Sequence, residues 1–328
     1  MNNSSKPRLE DLNVIVAGQG GDGSLTVVNI LADVLRTSGL RVYTERDVLS
    51  RIKGGITAAT LRAYNGERLC ISSHIDLMVA FDQAAIPKYA FRLNAKSIVI
   101  YDSSNGDLTA ESKLPEGVRL IGVPLSRYAV KNFRRDIYKN SISFAVIGRL
   151  IGLDDGQMKI AFEKRFGRRG AQALKYNLDA LNVGCTLADD AGLTIGEGLF
   201  EIVATDSKAH MLITGNEAVA FGFAVAGGRF FAGYPITPST DVMEWLVKWL
   251  PKFGGVVKQA EDELSAINMS IGAAITGTRT MTATCGPGIA LMQEGIGQLG
   301  MAEIPMVIVD AQRSGPSTGM PTKPEQSD

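Results

Sequence analysis

Short apolar runs that close on glycine or a polar residue alternate along this chain with segments whose apolar positions recur at helical spacing. NVIVAG (13–18) is one such run, and in SLTVVNILADVLRTSG behind it Leu25, Val28, Ile30, Leu31 and Leu35 fall at helical periods. That order predicts a strand, a tight glycine turn and a helix. RVYTE reads as the next strand, ITAATLRAYN as an alternating one, and DLMVAFD and SIVIYDS as apolar strands ending in polar residues. Residues 11–185 are therefore expected to form an open α/β domain. The pattern then decays through CTLADDAGLTIGEG, and residues 186–210 are expected to be a linker. A second module is predicted over 211–328, with strands at RFFAGYPI, GGVVKQA, RTMTAT and PMVIVDAQ and helices between them. The fold class expected is thus α/β, with two parallel-sheet domains. PMVIVDAQ is followed only by the Pro/Gly-rich SGPSTGMPTKPEQSD, so the second domain is expected to be completed by a missing segment or another chain.

Composition narrows the function classes. The 328 residues are 45% hydrophobic, with 34 Lys+Arg against 34 Asp+Glu, which suits two domains with cores and excludes disordered and fibrous classes. No run approaches the roughly 18 apolar residues that span a bilayer. MNNSSKPRLE lacks the apolar core of a signal peptide, so a cytoplasmic protein is expected. Cys70, Cys185 and Cys285 are widely spaced, and His74 and His210 are the only histidines. A disulfide framework, or a metal or cluster held by this chain alone, is therefore excluded, and any metal redox centre belongs to another chain. Charge is uneven: residues 211–328 hold 7 basic and 11 acidic residues, leaving 27 and 23 in 1–210. The basic excess gathers at Arg134, Arg135, Lys164, Arg165, Arg168 and Arg169. These stand at helical spacing beside Phe133, Ile137, Phe162 and Phe166, which predicts solvated faces of amphipathic helices and no nucleic-acid site.

Gly18, Gly20, Gly21 and Gly23 of GQGGDG satisfy G-x-G-x-x-G between a strand and a helix, and Glu45 stands 22 residues beyond Gly23. On spacing alone this is a dinucleotide fingerprint, so an NAD-binding redox protein is one reading. Many other α/β domains use the same turn to present N–H groups to an anion. GDG also resembles the diphosphate loop of thiamine enzymes, but Asn29 and Asn65 do not supply the Asn pair which that loop requires, and the reading is rejected. Arg51 and Lys53 of RIKGG put two cations beside a glycine pair, as a phosphate or diphosphate would need. The ordinary start of a hairpin accounts for them nearly as well.

In AGYPITPSTDVMEWLVKWL, Thr237 reads as an N-cap with Pro238 at the first helical position, and Val242, Trp245, Leu246, Trp249 and Leu250 give the apolar face. Helix formation alone does not account for two prolines bracketing a hydroxyl where a parallel strand ends, which is where open α/β sheets bind ligands. KQAEDELSAI opens a helix with Glu261, Asp262 and Glu263, of which at least two are expected to be solvated first-turn acids. Ala266, Gly272, Ala273 and Ala274 behind them allow another backbone or a flat ligand to approach. Cys285 in TATCGPG is expected to be a packed residue, since no histidine stands within twenty residues of it. Arg313 marks the last strand end.

GNEAVAFG, AGYPITPST, AEDELSAI, MTATCGPGIALMQEGIG and VDAQRSGPSTGMPTK, in this order, resemble the alpha subunit of the 2-oxoacid:ferredoxin oxidoreductases. These are thiamine-dependent enzymes that oxidatively decarboxylate 2-oxoacids to acyl-CoA. GQGGDG and RIKGG are similar to that family's gamma domain, fused here ahead of the alpha part. The resemblance implies that Glu263 touches N1′ of the thiamine aminopyrimidine, stabilising the imino form that deprotonates the thiazolium C2. It implies that Tyr234, Pro235 and Ile236 line the cofactor, and that Thr237, Arg313 and Thr322 hold the substrate. It further implies a beta subunit that binds the diphosphate with Mg2+ and carries a 4Fe-4S cluster. Ferredoxin is then the acceptor and CoA the co-substrate, with Gly18, Gly20, Gly21, Gly23, Arg51 and Lys53 serving CoA or subunit docking. The fused order favours 2-oxoglutarate or a broad 2-oxoacid range over pyruvate.

Overall fold

The computed structural model describes residues 8–9, 11–47, 55–65, 70–108, 114–193, 201–202 and 211–313. The chain divides into two compact units, Met1–Leu212 and Ile213–Asp328. The first opens with β1 (Arg8–Leu9), β2 (Asp11–Gln19), α1 (Ser24–Thr37), β3 (Arg41–Asp47) and β4 (Ile56–Tyr64). It continues with β5 (Leu77–Ala80), α2 (Ala85–Tyr89), β6 (Ile98–Asp102) and β7 (Arg119–Val123). Four helices follow, α3 (Leu125–Phe133), α4 (Lys139–Leu150), α5 (Asp155–Phe166) and α6 (Ala171–Asp190), and then β8 (Glu201–Ile202), which pairs with β1.

Six strands line up in the order β3-β4-β2-β5-β6-β7. β2, β5, β6 and β7 are parallel, whereas β4 runs antiparallel to both β2 and β3. The expected parallel sheet is therefore mixed at one side. The cause is local: β3 and β4 are joined by a short connection, and a parallel pair would need a crossover of about a dozen residues. Central strands alternate between two apolar layers. Val14, Val16, Leu77, Val79, Ile98 and Ile100 pack in one with residues of α1, α4 and α5. Ile15, Ala17, Met78, Ala80, Val99 and Tyr101 pack in the other with Ile86 and Tyr89 of α2. Because both faces are covered, these strands read as continuous apolar runs. The alternation expected of β4 does not hold, and for the same reason it is buried at every position from 58 to 64.

The boundary expected at residue 185 falls inside α6. Leu181, Gly184 and Ala188 keep helical spacing on its buried face, and the acidic pair that follows does not break a helix; the turn comes only at Gly192. Leu193 still packs in the first core. Phe162 and Phe166 are buried, with Lys164, Arg165, Arg168 and Arg169 facing solvent; Ile137, read as a core position, is 49% exposed.

The second unit contains α7 (Gly215–Val225), β9 (Phe230–Gly233), α8 (Thr240–Trp249), β10 (Val256–Gln259), α9 (Glu263–Ile275), β11 (Thr280–Thr284), α10 (Gly286–Met301) and β12 (Val307–Asp310). Its four strands are all parallel, in the order β10-β9-β11-β12. Phe231, Met281, Ala283 and Val309 join Ala220 and Ala224 of α7 and Val242 and Leu246 of α8 in one layer. Ile308 joins Ala266, Ile267 and Ile271 of α9 and Met292 and Leu299 of α10 in the other. Thr280, Thr282 and Thr284 alternate with Met281 and Ala283, so they turn toward the α9 side, and all three are buried. From β9 the chain goes through α8 to β10 on one flank, then returns through α9 to β11 on the other. Strand order thus reverses at β9 and β11, and the carboxyl ends of these two strands bound the crevice where such sheets take ligands.

Candidate functional site

Each strand of the second sheet delivers one group to its carboxyl edge. β9 ends at Gly233 and runs into Tyr234, Pro235, Ile236 and Thr237; Tyr234 and Thr237 are exposed. The turn is closed by the Ile236 carbonyl, which accepts from the Ser239 backbone N–H at 2.9 Å and hydroxyl at 2.8 Å and from the Thr240 N–H at 3.2 Å. Asn216 of α7 braces it, donating its Nδ2 to the Pro238 carbonyl at 2.8 Å. The Thr237–Pro238 peptide is cis. Thr237 is not the N-cap and Pro238 is not the first helical residue, since the cap is Ser239. Helix α8 starts two residues after Pro238, at Thr240 behind Ser239, because the Ile236 carbonyl is already engaged by the turn. What Thr237 offers is its carbonyl, which accepts from Arg313 Nη1 at 3.0 Å. Arg313, just beyond β12, thereby reaches the loop of β9.

The three acids before α9 separate cleanly. Glu261 is exposed. Asp262 is the N-cap, its Oδ1 accepting from the Ser265 N–H at 2.7 Å, and that bond holds its carboxyl below the usual carboxylate range. Glu263 is then the first helical residue, 5% exposed, and its carboxylate has no hydrogen bond or ion pair among the described residues. A carboxylate so placed is strongly out of keeping with a mere helix cap, since buried acids are ordinarily paired. β11 ends in Thr284 and Cys285, both with no exposed surface. Burial pushes the Cys285 thiol up and nearby Arg313 pulls it the other way, so it remains a protonated, packed thiol. Gly288, in the first turn of α10, lies directly against Glu263: a Cβ there would stand 3.0 Å from both Cγ and Oε1 of the glutamate.

In the first unit, GQGGDG forms the expected strand–turn–helix, but it carries its own anion. Asp22 Oδ2 accepts from the Gln19 N–H at 2.8 Å, and Asp22 Oδ1 pairs at 3.1 Å with Lys139, which also pairs with Asp136 at 2.7 Å. Gly18 leaves room for Asp22 and Phe81, and Gly23, at φ 86°, abuts Asn140; Gly21, at φ 100°, is open. Glu45 is exposed on β3, and β4 separates that strand from β2. A dinucleotide fingerprint needs its acid at the end of the strand next to the glycine turn. The NAD reading fails on that topology. Arg51 and Lys53 lie outside the described residues, as does Thr322. Gly20 donates its N–H to the carbonyl of Gly55 at 3.1 Å, which ties the glycine turn to the residue where the hairpin re-enters the sheet.

The family described as pyruvate ferredoxin/flavodoxin oxidoreductase matches residues 13–187, more than half of the chain. The chain belongs to this family. A second description, pyruvate flavodoxin/ferredoxin oxidoreductase, thiamine diP-bdg, matches residues 222–328. The 2-oxoacid:ferredoxin oxidoreductase subunit alpha of a Sulfolobus species is similar at 31% identity, over 97% of this chain and 56% of its own. The 2-oxoglutarate synthase subunit KorA of Methanothermobacter thermautotrophicus is 56% identical over 116 residues, 35% of this chain and 31% of that protein. A solved 2-oxoglutarate:ferredoxin oxidoreductase from Magnetococcus marinus, with 2-oxoglutarate, coenzyme A and succinyl-CoA bound, matches at TM-score 0.85 and 35% identity. That match covers 96% of this chain and 54% of the other. This member of the pyruvate and 2-oxoacid:ferredoxin oxidoreductases thus spans about half the length of the relatives it matches from end to end.

For this family member the fold brings Thr237, Glu263 and Arg313 to one carboxyl edge, with Tyr234, Pro235 and Ile236 beside them. Thiamine diphosphate fits what is present, since a buried carboxylate at the switch crevice, unengaged among the described residues, is the group an aminopyrimidine requires. Among the described residues no cluster of His, Cys, Asp or Glu could hold a metal ion, and no helix is long and apolar enough to cross a membrane. Sequence reasoning missed the brace Asn216 and the pair Thr284 and Gly288. The last pair had a signal, because TATCGPG places a small residue one turn after a strand-end hydroxyl.

Proposed function

We propose that this chain is the alpha part, with a fused gamma-type domain, of a thiamine-dependent 2-oxoacid:ferredoxin oxidoreductase working in the cytoplasm. The reaction is oxidative decarboxylation of a 2-oxoacid with CoA to an acyl-CoA and CO2, with the electrons passed to ferredoxin. The observation that carries the reading is Glu263, buried and unengaged at the crevice beside the Arg313–Thr237 contact. Thiamine diphosphate, when bound, supplies the carbon nucleophile that attacks the 2-oxo group. Glu263 holds and moves a proton at N1′ of its aminopyrimidine, a task for a carboxylate because the proton must travel in both directions. Tyr234, Pro235 and Ile236 orient the ring. Arg313 binds the substrate carboxylate through its guanidinium, and Thr237 and Thr322 bound the carbonyl side.

A beta partner carries the diphosphate with Mg2+ and a 4Fe-4S cluster, and a further segment or chain completes the alpha part. The name of the Magnetococcus marinus enzyme and those of the KorA relatives favour 2-oxoglutarate as substrate. In the first domain, Gly18, Gly20, Gly21 and Gly23 with Arg51 and Lys53 serve CoA or docking; the Gly20–Gly55 bond, which ties this turn to the hairpin bearing both cations, supports grouping them.

Co-purification from the native source tests the whole reading. The complex is expected to be brown, to contain thiamine diphosphate, and to reduce ferredoxin with 2-oxoglutarate faster than with pyruvate. A colourless complex without thiamine overturns it, and equal rates overturn the choice of acid. Replacing Arg51 and Lys53 by Ala is expected to raise the Michaelis constant for CoA alone; an unchanged constant assigns them to docking.

A further inference from the structure

β11 turns the hydroxyls of Thr280, Thr282 and Thr284 toward the α9 side, and none of the three oxygens has a hydrogen-bond partner among the described residues. Valine would occupy the same strand positions with no polar atom left to satisfy. Thr284 differs from the other two in ending the strand at the crevice. Its Oγ1 stands 1.8 Å from the point that a Cβ on Gly288 would take, and the same point lies 3.0 Å from Oε1 of Glu263. Hydroxyl, absent side chain and carboxylate therefore share one small buried space. A hydroxyl can donate and an ionised carboxylate can only accept, so the two are complementary.

We propose that Thr284 is the positioning residue for Glu263: its hydroxyl, without a partner among the described residues, donates to one carboxylate oxygen when the Glu263 side chain turns toward it, and leaves the other oxygen turned to the crevice. Gly288 belongs to the same device, because any side chain there would displace both. The inference rests on the reading of Glu263 as the proton carrier. The other charged or titratable groups around this space are Asp262 ahead of α9, Cys285 at the start of α10, and Asp310 and Arg313 at the end of β12.

The test uses the complete enzyme with its partner subunit and compares Thr284→Val, Thr284→Ser and Glu263→Gln. Four quantities are read: thiamine diphosphate affinity by calorimetry, melting temperature, the Glu263 side chain in a crystal structure, and C2 proton exchange of bound thiamine against pH. Thr284→Val is expected to bind the cofactor normally and to show a turned Glu263 side chain. Its exchange should slow about ten- to a hundredfold, the worth of one hydrogen bond to a charged group. Thr284→Ser should restore exchange. Should Thr284→Val fail to assemble, Thr284→Ala against Thr284→Ser differ only in the hydroxyl and make the same comparison. Normal exchange in the Val or Ala variant, with Glu263→Gln inactive in exchange, overturns the positioning role. Equal impairment of the Val and Ser variants overturns it too, as a packing effect. Normal exchange in Glu263→Gln overturns the reading of Glu263 itself.

Discussion

Gly288→Ala sets two physical effects against each other at one position. Gly288 lies in the first turn of α10 and has an ordinary negative φ, so intrinsic propensity alone predicts that alanine stabilises the helix by roughly 0.5–1 kcal/mol. The packing predicts the opposite. The new Cβ would lie 1.8 Å from Thr284 Oγ1 and 3.0 Å from Cγ and Oε1 of Glu263. Glu263 is the far end of a flexible side chain and can swing away. Thr284 is fully buried on a central strand with Met281 and Ala283 fixed in the opposite layer, so it has nowhere to go. Overpacking of a tight core costs roughly 1–3 kcal/mol, and after the propensity gain a net loss of about 1–2 kcal/mol is expected. Gly297 and Gly300 on the same helix have nothing within 4 Å of a Cβ, so alanine at either should stabilise by roughly 0.5–1 kcal/mol. Both tryptophans of the chain, Trp245 and Trp249, lie on α8 in this unit, and their fluorescence in the assembled enzyme reports its unfolding. The Gly288→Ala transition should fall by about 2–4 °C per kcal/mol lost. Thr284→Ala/Gly288→Ala should be less damaged than the two single changes together, since the removed hydroxyl vacates the space. A Gly288→Ala protein that melts like Gly297→Ala would refute the shared space, and with it the geometry on which the role of Thr284 depends.

Three further outcomes are expected. Glu263→Gln keeps shape and a hydrogen bond but cannot exchange the proton, so C2 exchange measured by NMR should slow by orders of magnitude, while exposed Glu261→Gln changes little. Arg313→Lys keeps charge but loses the planar fork, so the Michaelis constant for the 2-oxoacid should rise about ten- to a hundredfold with C2 exchange unaltered. Asp22→Asn removes one of the two carboxylates on buried Lys139 and should lower the urea midpoint by the equivalent of about 1.5–3 kcal/mol. Burial draws the Lys139 ammonium down, but its bonds to Asp136 and Asp22 outweigh this and hold it above the usual lysine range. Its contribution is thus complete below the unfolded-state value of about 10.4 and is lost as pH rises through the higher folded one. The parent should lose stability in that alkaline range, and Asp22→Asn should lose less there.

Strand positions were legible because both sheets are covered on two faces, which writes each central strand as an unbroken apolar run. Strand direction was not. ITAATLRAYN carries the composition of an interior strand, and nothing in that composition distinguishes antiparallel β4 from its parallel neighbours; the direction follows from the shortness of its link to β3. The glycine turn was legible as a turn and misleading as a ligand site. G-x-G-x-x-G specifies backbone shape, whereas what occupies the turn is settled by Asp22 within it and by Lys139, more than a hundred residues away. Thr237 shows the same limit at shorter range. Thr-Pro matches a helix start, but Ser239 turns both its N–H and its hydroxyl onto Ile236, and that closes a separate turn before the helix begins.

The choice among the three acids was present in the sequence as periodicity. Ala266, Ile267, Ser270, Ile271 and Ala274 are the buried positions of α9, and counting back along the same stripe by three and four residues reaches position 263. Glu261 lies before the helix, and Asp262 has the short side chain that an N-cap requires. Glu263 is thus the one acid that the helix itself forces inward, at the end of the stripe that packs on the sheet. An acid in that register is costly to bury when it has no hydrogen bond or ion pair among the described residues, and a leucine or methionine would serve the packing better. Selection for folding alone would not hold a carboxylate there. The stripe therefore separates Glu263 from its neighbours on energetic grounds, and it predicts that Glu263→Met, while inactive in C2 exchange, melts at or above the parent; a clear loss of stability would mean that the carboxylate serves the fold.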